Sequence, residues 1–302
     1  MEYAYFDEAF VPIDEAKISI KTNALQYGTG VFEGIRAYWN ETRRQLYVFR
    51  MAEHYQRMLR NMRVLNLTVD KDVPQLAEIT RELLRRNQYR EDAYIRPLAY
   101  VSSTGLGPKL VGYECAFCIY TIPLGNYIET GGIKVGFSSW RRIHDNMIPA
   151  RCKITGGYVN SALAKTEALQ AGFDEAIFLT KDGFISEGSA ENFFMLRGGK
   201  LITPALSEDI LEGITRDALL SLCREELGIE VVERPVGRTE LYVADEAFLT
   251  GTGAQVAPIV EVDHRPIGSG GIGALTAKIQ QLYFEVVRAG HPKYAHWCTP
   301  VY

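Results

Sequence analysis

The stretch Lys153-Ile154-Thr155-Gly156-Gly157-Tyr158-Val159-Asn160-Ser161, followed by the helical run Ala162-Leu163-Ala164, organises the reading of this chain. A lysine just before two glycines stands where the backbone can come close to a flat ligand, because glycine has no Cβ in the way. A lone lysine is weak evidence, since most are solvated. Further along come Ser186-Glu187-Gly188-Ser189-Ala190-Glu191-Asn192, then Leu211-Glu212-Gly213-Ile214-Thr215 opening a helix, then Thr250-Gly251-Thr252-Gly253-Ala254 after a strand. Together these offer an amine, a turn carboxylate and two groups of backbone amides suited to anions.

Each part has a chemical use and a bland alternative. A lysine that forms a Schiff base must be neutral when it attacks; from an ordinary pKa of about 10.4 it has to be lowered by burial and by the bond it forms. Glu187 is either a turn carboxylate or the acceptor for a protonated ring nitrogen, with Glu191 and Asn192 close enough to support it. Gly213-Ile214-Thr215 puts amides and a hydroxyl at a helix N-terminus, where partial positive charge favours phosphate; Thr215 is also a fair N-cap. Thr252-Gly253-Ala254 can form an amide nest. Arg57, in Glu53-His54-Tyr55-Gln56-Arg57, is either solvated or a bidentate phosphate donor.

Composition limits the alternatives. The chain has 302 residues, 47% hydrophobic and 23% charged, with net charge -4, which fits an ordinary globular protein and disfavours a general nucleic-acid surface. No apolar run is long enough to span a membrane. Met1-Glu2-Tyr3-Ala4-Tyr5 lacks the features of a signal peptide. Five cysteines form no disulfide framework; Cys115 and Cys118 lie in a run that reads as a buried strand, on opposite faces, so they make no shared metal site. No metal is expected, and the cytoplasm is the expected compartment.

Periodicity predicts strands over 3–6, 10–13, 34–39, 45–50, 93–101, 115–122, 133–138, 174–179, 193–196, 231–233 and 246–249. Helices are predicted over 52–61, 73–86, 161–171, 215–227 and 274–289. Pro123-Leu124-Gly125-Asn126-Tyr127 breaks the pattern. The reading is α/β with antiparallel pairing mixed in (α+β mixed), divided into a small domain 1–121, a linker 122–131 and a large cofactor-binding domain 132–302. Gly268-Ser-Gly270-Gly-Ile-Gly273 matches a dinucleotide-binding pattern, but too little chain follows for a βαβ unit, so it reads as a flexible turn.

Seven spaced motifs in one order resemble the fold type IV (class IV) pyridoxal-phosphate aminotransferases, closest to those acting on branched-chain amino acids. They are Tyr27-Gly-Thr-Gly-Val-Phe32-Glu-Gly34-Ile-Arg36, Glu53-His-Tyr-Gln-Arg57, Tyr94-Ile-Arg96-Pro97, Lys153 with Gly156-Gly157-Tyr158, Ser186-Glu187-Gly188 with Glu191-Asn192, Leu211-Glu-Gly213-Ile214-Thr215, and Thr250-Gly-Thr252-Gly253-Ala254. The resemblance implies a two-domain fold, like that of the D-amino acid aminotransferases, and a homodimer. It makes Lys153 the Schiff-base and proton-shuttling residue, Glu187 the partner of the pyridine nitrogen and Tyr158 that of the phenolic oxygen. Arg57, Ile214, Thr215 and Thr252 would hold the phosphate, with Asn192, Leu211 and Gly213 also counted with the cofactor group. Tyr94, Gly253 and Ala254 would meet the substrate α-carboxylate. Tyr27, Phe32, Gly34 and Tyr158 would line the side-chain pocket, with Arg36 beside them. Arg96, Tyr27 and Tyr127 would accept glutamate's distal carboxylate, and Leu106 and Pro108 would reach in from a second subunit. The implied reaction carries the amino group of L-leucine, L-isoleucine or L-valine to 2-oxoglutarate by ping-pong transfer. Leu124, Gly253 and the loop Thr104–Gly112 depart from the family pattern, which keeps (R)-amine or D-amino acid transamination open as alternatives.

Overall fold

The computed structural model describes residues 1–125 and 131–302. The chain forms two compact units, and neither is continuous in sequence. The first holds Met1–Gly125, Cys152–Gly156 and Glu285–Tyr302; the second holds the described residues up to Arg151 together with Gly157–Phe284. A linear division at residues 122–131 does not capture this interleaving.

In the first unit eight strands form one antiparallel sheet, in the order Cys298–Pro300, Gln45–Phe49, Ile35–Asn40, Ala93–Val101, Cys115–Pro123, Tyr3–Phe6, Ala9–Pro12, with Gly30–Phe32 also paired to Ala93–Val101. Alternation along Ala93–Val101 buries Ala93, Ile95 and Ala99, whereas Tyr94 and Arg96 stay only half-buried. Helix Met51–Val64 sends His54, Tyr55, Arg57, Met58, Asn61 and Met62 inward, the spacing of one helical face. Helix Val73–Asn87 starts at a reciprocal cap between Asp72 and Gln75 and stops at Gln88 in the left-handed conformation. The Cys115–Pro123 strand is less buried than its sequence suggests. Both Cys115 and Cys118 are half-buried, and no cysteine of the chain is paired with another.

The second unit is built on a nine-stranded sheet. Its central path runs Ile185–Gly188, Glu175–Leu179, Ile133–Arg141, Gln255–Val262, Glu246–Gly251, Asn192–Arg197, and Ile185–Gly188 pairs back onto Asn192–Arg197. Those six strands therefore close on themselves. The closing pair is Glu187 opposite Asn192. Ile133–Arg141 runs parallel to both neighbours, while most other pairs are antiparallel, which makes the class mixed α/β. Inside the ring Ile133, Val135, Ile177, Ile185, Phe193, Leu249, Ala257 and Ile259 pack into one core. The segment Gly268–Gly273 is a turn, as its sequence suggests, and Glu246 takes the amides that open the next helix, accepting from Leu275 N at 3.1 Å and Thr276 N at 2.7 Å. That helix end is filled by a carboxylate of the chain itself.

Candidate active site

In the first unit the strap Cys152–Gly156 lies along residues 28–32. Phe32 N donates to the Lys153 carbonyl at 3.1 Å, Ile154 bridges Val31, and Gly156 N donates to the Gly28 carbonyl at 3.0 Å. Thr155 Oγ1 adds a bond to the same carbonyl at 2.6 Å. A Cβ on Gly28, whose φ is +65°, would stand 2.5 Å from the Gly156 Cα. Gly28, with no Cβ, thus lets the two backbones meet.

This strap carries Lys153 to the Phe32 ring, with Nζ 5.0 Å from its centroid. The Arg96 guanidinium lies 4.5 Å from the same centroid, and its Nη2 donates to Tyr94 Oη at 2.8 Å. Gly34 completes the group: a Cβ there would collide with Tyr94 Oη. Phe32, Gly34, Tyr94, Arg96 and Lys153 are therefore gathered in one place. Arg57 belongs to the same unit and is clamped by Glu33, with Nε to Oε1 and Nη2 to Oε2 both at 2.7 Å, while His54 Nδ1 lies 2.8 Å from Oε2. Burial alone would raise the Glu33 pKa, but the Arg57 charge and the His54 hydrogen bond hold it well below the usual carboxylate range. Burial lowers His54, and the charges of Arg57 and Lys153 push the same way against Glu33.

Other residues of this unit stand as follows. Tyr27 Oη accepts from Gly107 N at 3.2 Å, beside the highly exposed Leu106, and Asn23 holds that loop through the Gly105 and Gly107 carbonyls. Arg36 is buried, donates from Nη2 to the Leu124 and Gly125 carbonyls, and lies 3.9 Å from Asp92. Tyr127 lies outside the described residues.

In the second unit Glu187 sits on the strand Ile185–Gly188 and is almost fully buried. Its Oε1 meets Arg142 Nη2 at 2.7 Å; its Oε2 accepts from Asn192 Nδ2 at 2.9 Å and Leu211 N at 3.0 Å. Asn192 Nδ2 also donates to the Leu211 carbonyl at 3.0 Å, so one amide ties the carboxylate to the turn before the next helix. A Cβ on Gly213 would overlap Asn192 Oδ1. Gly213, not Thr215, is the N-cap of helix Ile214–Glu225, and no side chain caps it. Its first amides are those of Ile214 and the buried Thr215, in a position to meet an anion. The turn from Thr250 to Gln255 is closed by Thr250 Oγ1 on the Gln255 carbonyl and backs onto Ala190 and Glu191, which places Thr252, Gly253 and Ala254 next to the Glu187–Asn192 hairpin. Tyr158 opens helix Tyr158–Gln170. Burial, then the nearby Glu175 charge, pushes Glu191 up to about 8.

Three supporting residues escape a reading of the sequence. Glu33 sits between Phe32 and Gly34 with nothing local to mark it. His54 and Arg57, three apart on one helix, are the available clue to a shared partner. Arg142 carries no local signal, because its partner Glu187 is distant in sequence.

Each unit carries groups of the kind a phosphorylated aldehyde cofactor uses: the first a buried arginine fork and a lysine against an aromatic face, the second a buried, multiply bonded carboxylate and a helix start without a side-chain cap. The chain belongs to the class IV amino-transferases, whose family model matches residues 30–262. Among its relatives is the probable branched-chain-amino-acid aminotransferase of Aquifex aeolicus, 53% identical, with all of this chain and 97% of the relative covered. The branched-chain aminotransferase of Thermoproteus uzoniensis, solved with norvaline, superposes with a TM-score of 0.96 at 42% identity, over 100% of this chain and 99% of that one. The T.th. branched-chain amino acid aminotransferase complexed with N-(5'-phosphopyridoxyl)-L-glutamate gives 0.95 at 39%, with the same coverage.

Proposed function

We propose that this protein is a pyridoxal-phosphate-dependent transaminase that moves the amino group of L-leucine, L-isoleucine or L-valine to 2-oxoglutarate. One observation carries the substrate assignment: Arg96 rests on the Phe32 ring with its Nη2 bonded to Tyr94 Oη. An aliphatic side chain can pack against Phe32 without orphaning that guanidinium, a burial worth roughly 1.5–3 kcal/mol. A dicarboxylate can instead draw the guanidinium into a charge-assisted pair. Norvaline and a glutamate adduct in two of the relatives are the matching pair of ligand types.

The chain's own groups divide the remaining work. Lys153 would hold the cofactor through its amine and would take up the proton removed from the substrate Cα. The bound cofactor supplies an electron sink for that carbon. Glu187, fixed by Arg142, Asn192 and Leu211 N, would accept a hydrogen bond from the ring nitrogen, and Tyr158 would hold the phenolic oxygen. Arg57, the Ile214 and Thr215 amides and Thr252 would be the groups for the phosphate. Tyr94 Oη and the Gly253 and Ala254 amides take the substrate α-carboxylate, leaving Tyr27, Phe32 and Gly34 for the side chain.

Visible absorbance tests this directly. Addition of L-leucine should bleach the cofactor band rapidly, with D-alanine and (R)-1-phenylethylamine far slower; a faster response to either of the latter would reassign the substrate class.

A homodimer and a cytoplasmic location belong to the same proposal. Ile18, Ile20, Leu25, Leu106 and Val111 are exposed apolar side chains of the first unit, and an apolar groove of about 330 Å³ runs past Phe6, Ile18, Leu25 and Tyr120. A second copy would cover such a surface. Five cysteines outside any disulfide suit a reducing compartment. Light scattering on the purified protein should give twice the chain mass; a monomer at micromolar concentration would remove the dimer.

A further inference from the structure

Arg57 is 3% exposed, Glu33 0% and His54 2%, so this charged pair with its histidine is closed to bulk water. The contact is a fork on a carboxylate: Arg57 Nε and Nη2 each meet one Glu33 oxygen at 2.7 Å. Two parallel bonds fix the plane of the guanidinium as well as its place. His54, on the same face of helix Met51–Val64, approaches Glu33 Oε2 from Nδ1 at 2.8 Å, and a carboxylate acceptor requires the proton on that nitrogen. The Glu33 backbone is anchored too, its N–H donating to the Pro97 carbonyl at 3.0 Å. Glu33 lies between strands Gly30–Phe32 and Ile35–Asn40, so the helix carrying Arg57 is pinned to the sheet through this pair.

A buried guanidinium without an anion is strongly unfavourable. If phosphate were its only counter-charge, the protein before cofactor binding would carry that penalty in full. We infer that Glu33, oriented by His54, is the resident counter-ion and positioning residue of Arg57, holding the guanidinium paired and in one plane before the cofactor phosphate arrives. The inference rests on the reading of Arg57 as a phosphate donor. It places Glu33 and His54 behind the arginine, acting through it.

The experiment is thermal melting of the cofactor-free protein with and without inorganic phosphate, on wild type, Glu33→Gln, Arg57→Met and the double variant. Glu33→Gln removes the forked carboxylate from the buried cation, so it should melt lower than wild type. Phosphate should then raise its melting temperature about twice as far as it raises that of wild type, because phosphate replaces the missing anion. The double variant, with neither charge, should melt above Glu33→Gln and lose the phosphate response. Pyridoxal, which lacks the phosphate, should not rescue Glu33→Gln where pyridoxal phosphate does. If Glu33→Gln fails to accumulate, Glu33→Asp keeps the charge one methylene short and should show the same ordering at smaller amplitude. A phosphate response in the Glu33 variants equal to wild type, with the response lost in Arg57→Met, would overturn the inference alone. A wild-type response in Arg57→Met would overturn the phosphate reading and the inference with it.

Discussion

At the scale of single residues the site depends on side chains with little freedom. Lys153→Ala removes the only amine proposed to take the aldehyde, so turnover and the visible band of the bound cofactor should both vanish; a variant transaminating at the wild-type rate would refute the role. Gly34→Ala places a methyl on top of Tyr94 Oη, so the tyrosine ring must swing and release Arg96. Losing one hydrogen bond to a charged group predicts a fall of about tenfold or more in kcat/KM, with the fold retained. Steady-state kinetics beside a melting curve separate the two effects. Glu191 adds a pH signature. Its pKa, ordinarily 4.5, is raised to about 8 by burial and by Glu175. Between those values the folded chain keeps a proton that the unfolded chain has lost, so this group's contribution to stability falls as pH rises through the window and levels off above it. Glu191→Gln, neutral throughout, should flatten that slope in denaturant titrations; an unchanged slope would assign it to other groups.

At the scale of elements, Gly213 shows how a turn and the buried Glu187 carboxylate are linked. An alanine there would displace Asn192, which bridges Glu187 and Leu211, at an expected cost of about 1–3 kcal/mol. Gly213→Ala should therefore lower the melting temperature and release cofactor faster on dilution, two readings from one substitution. Most elements are legible in the sequence because apolar spacing marks them. Tyr3–Phe6, Ala93–Val101 and Val231–Glu233 fall where the pattern puts them, and the main helices differ from it by a few residues at most. The strands that the pattern misses lack a countable period. Gly30–Phe32 is three residues between glycines, Lys200–Thr203 has four, and Gln255–Val262 contains Pro258. Motif spacing makes Lys153, Glu187 and Arg57 stand out as candidates. What holds them, Glu33, His54 and Arg142, is written in pairings between distant residues, which no local pattern encodes.

At the scale of the whole chain, each unit is assembled from separated stretches. The last residues are woven into the first unit: Cys298–Pro300 pairs with Gln45–Phe49, Arg81 and Arg85 donate to the Pro300 and Val301 carbonyls, and Gln45 holds the Tyr302 backbone. Deleting residues 298–302 strips an edge strand and leaves the Cys298 partner strand open. The expected result is a lower melting temperature and greater aggregation, measured by calorimetry and light scattering. The same weave sets a timetable for biosynthesis. The first unit holds the earliest strands, yet it also needs the lysine strap and the strand Cys298–Pro300, which is made after the whole second unit. That sheet cannot be closed at Gln45–Phe49 until Cys298–Pro300 has been made, so a chain stopped before residue 298 carries an open edge exposed to whatever it meets.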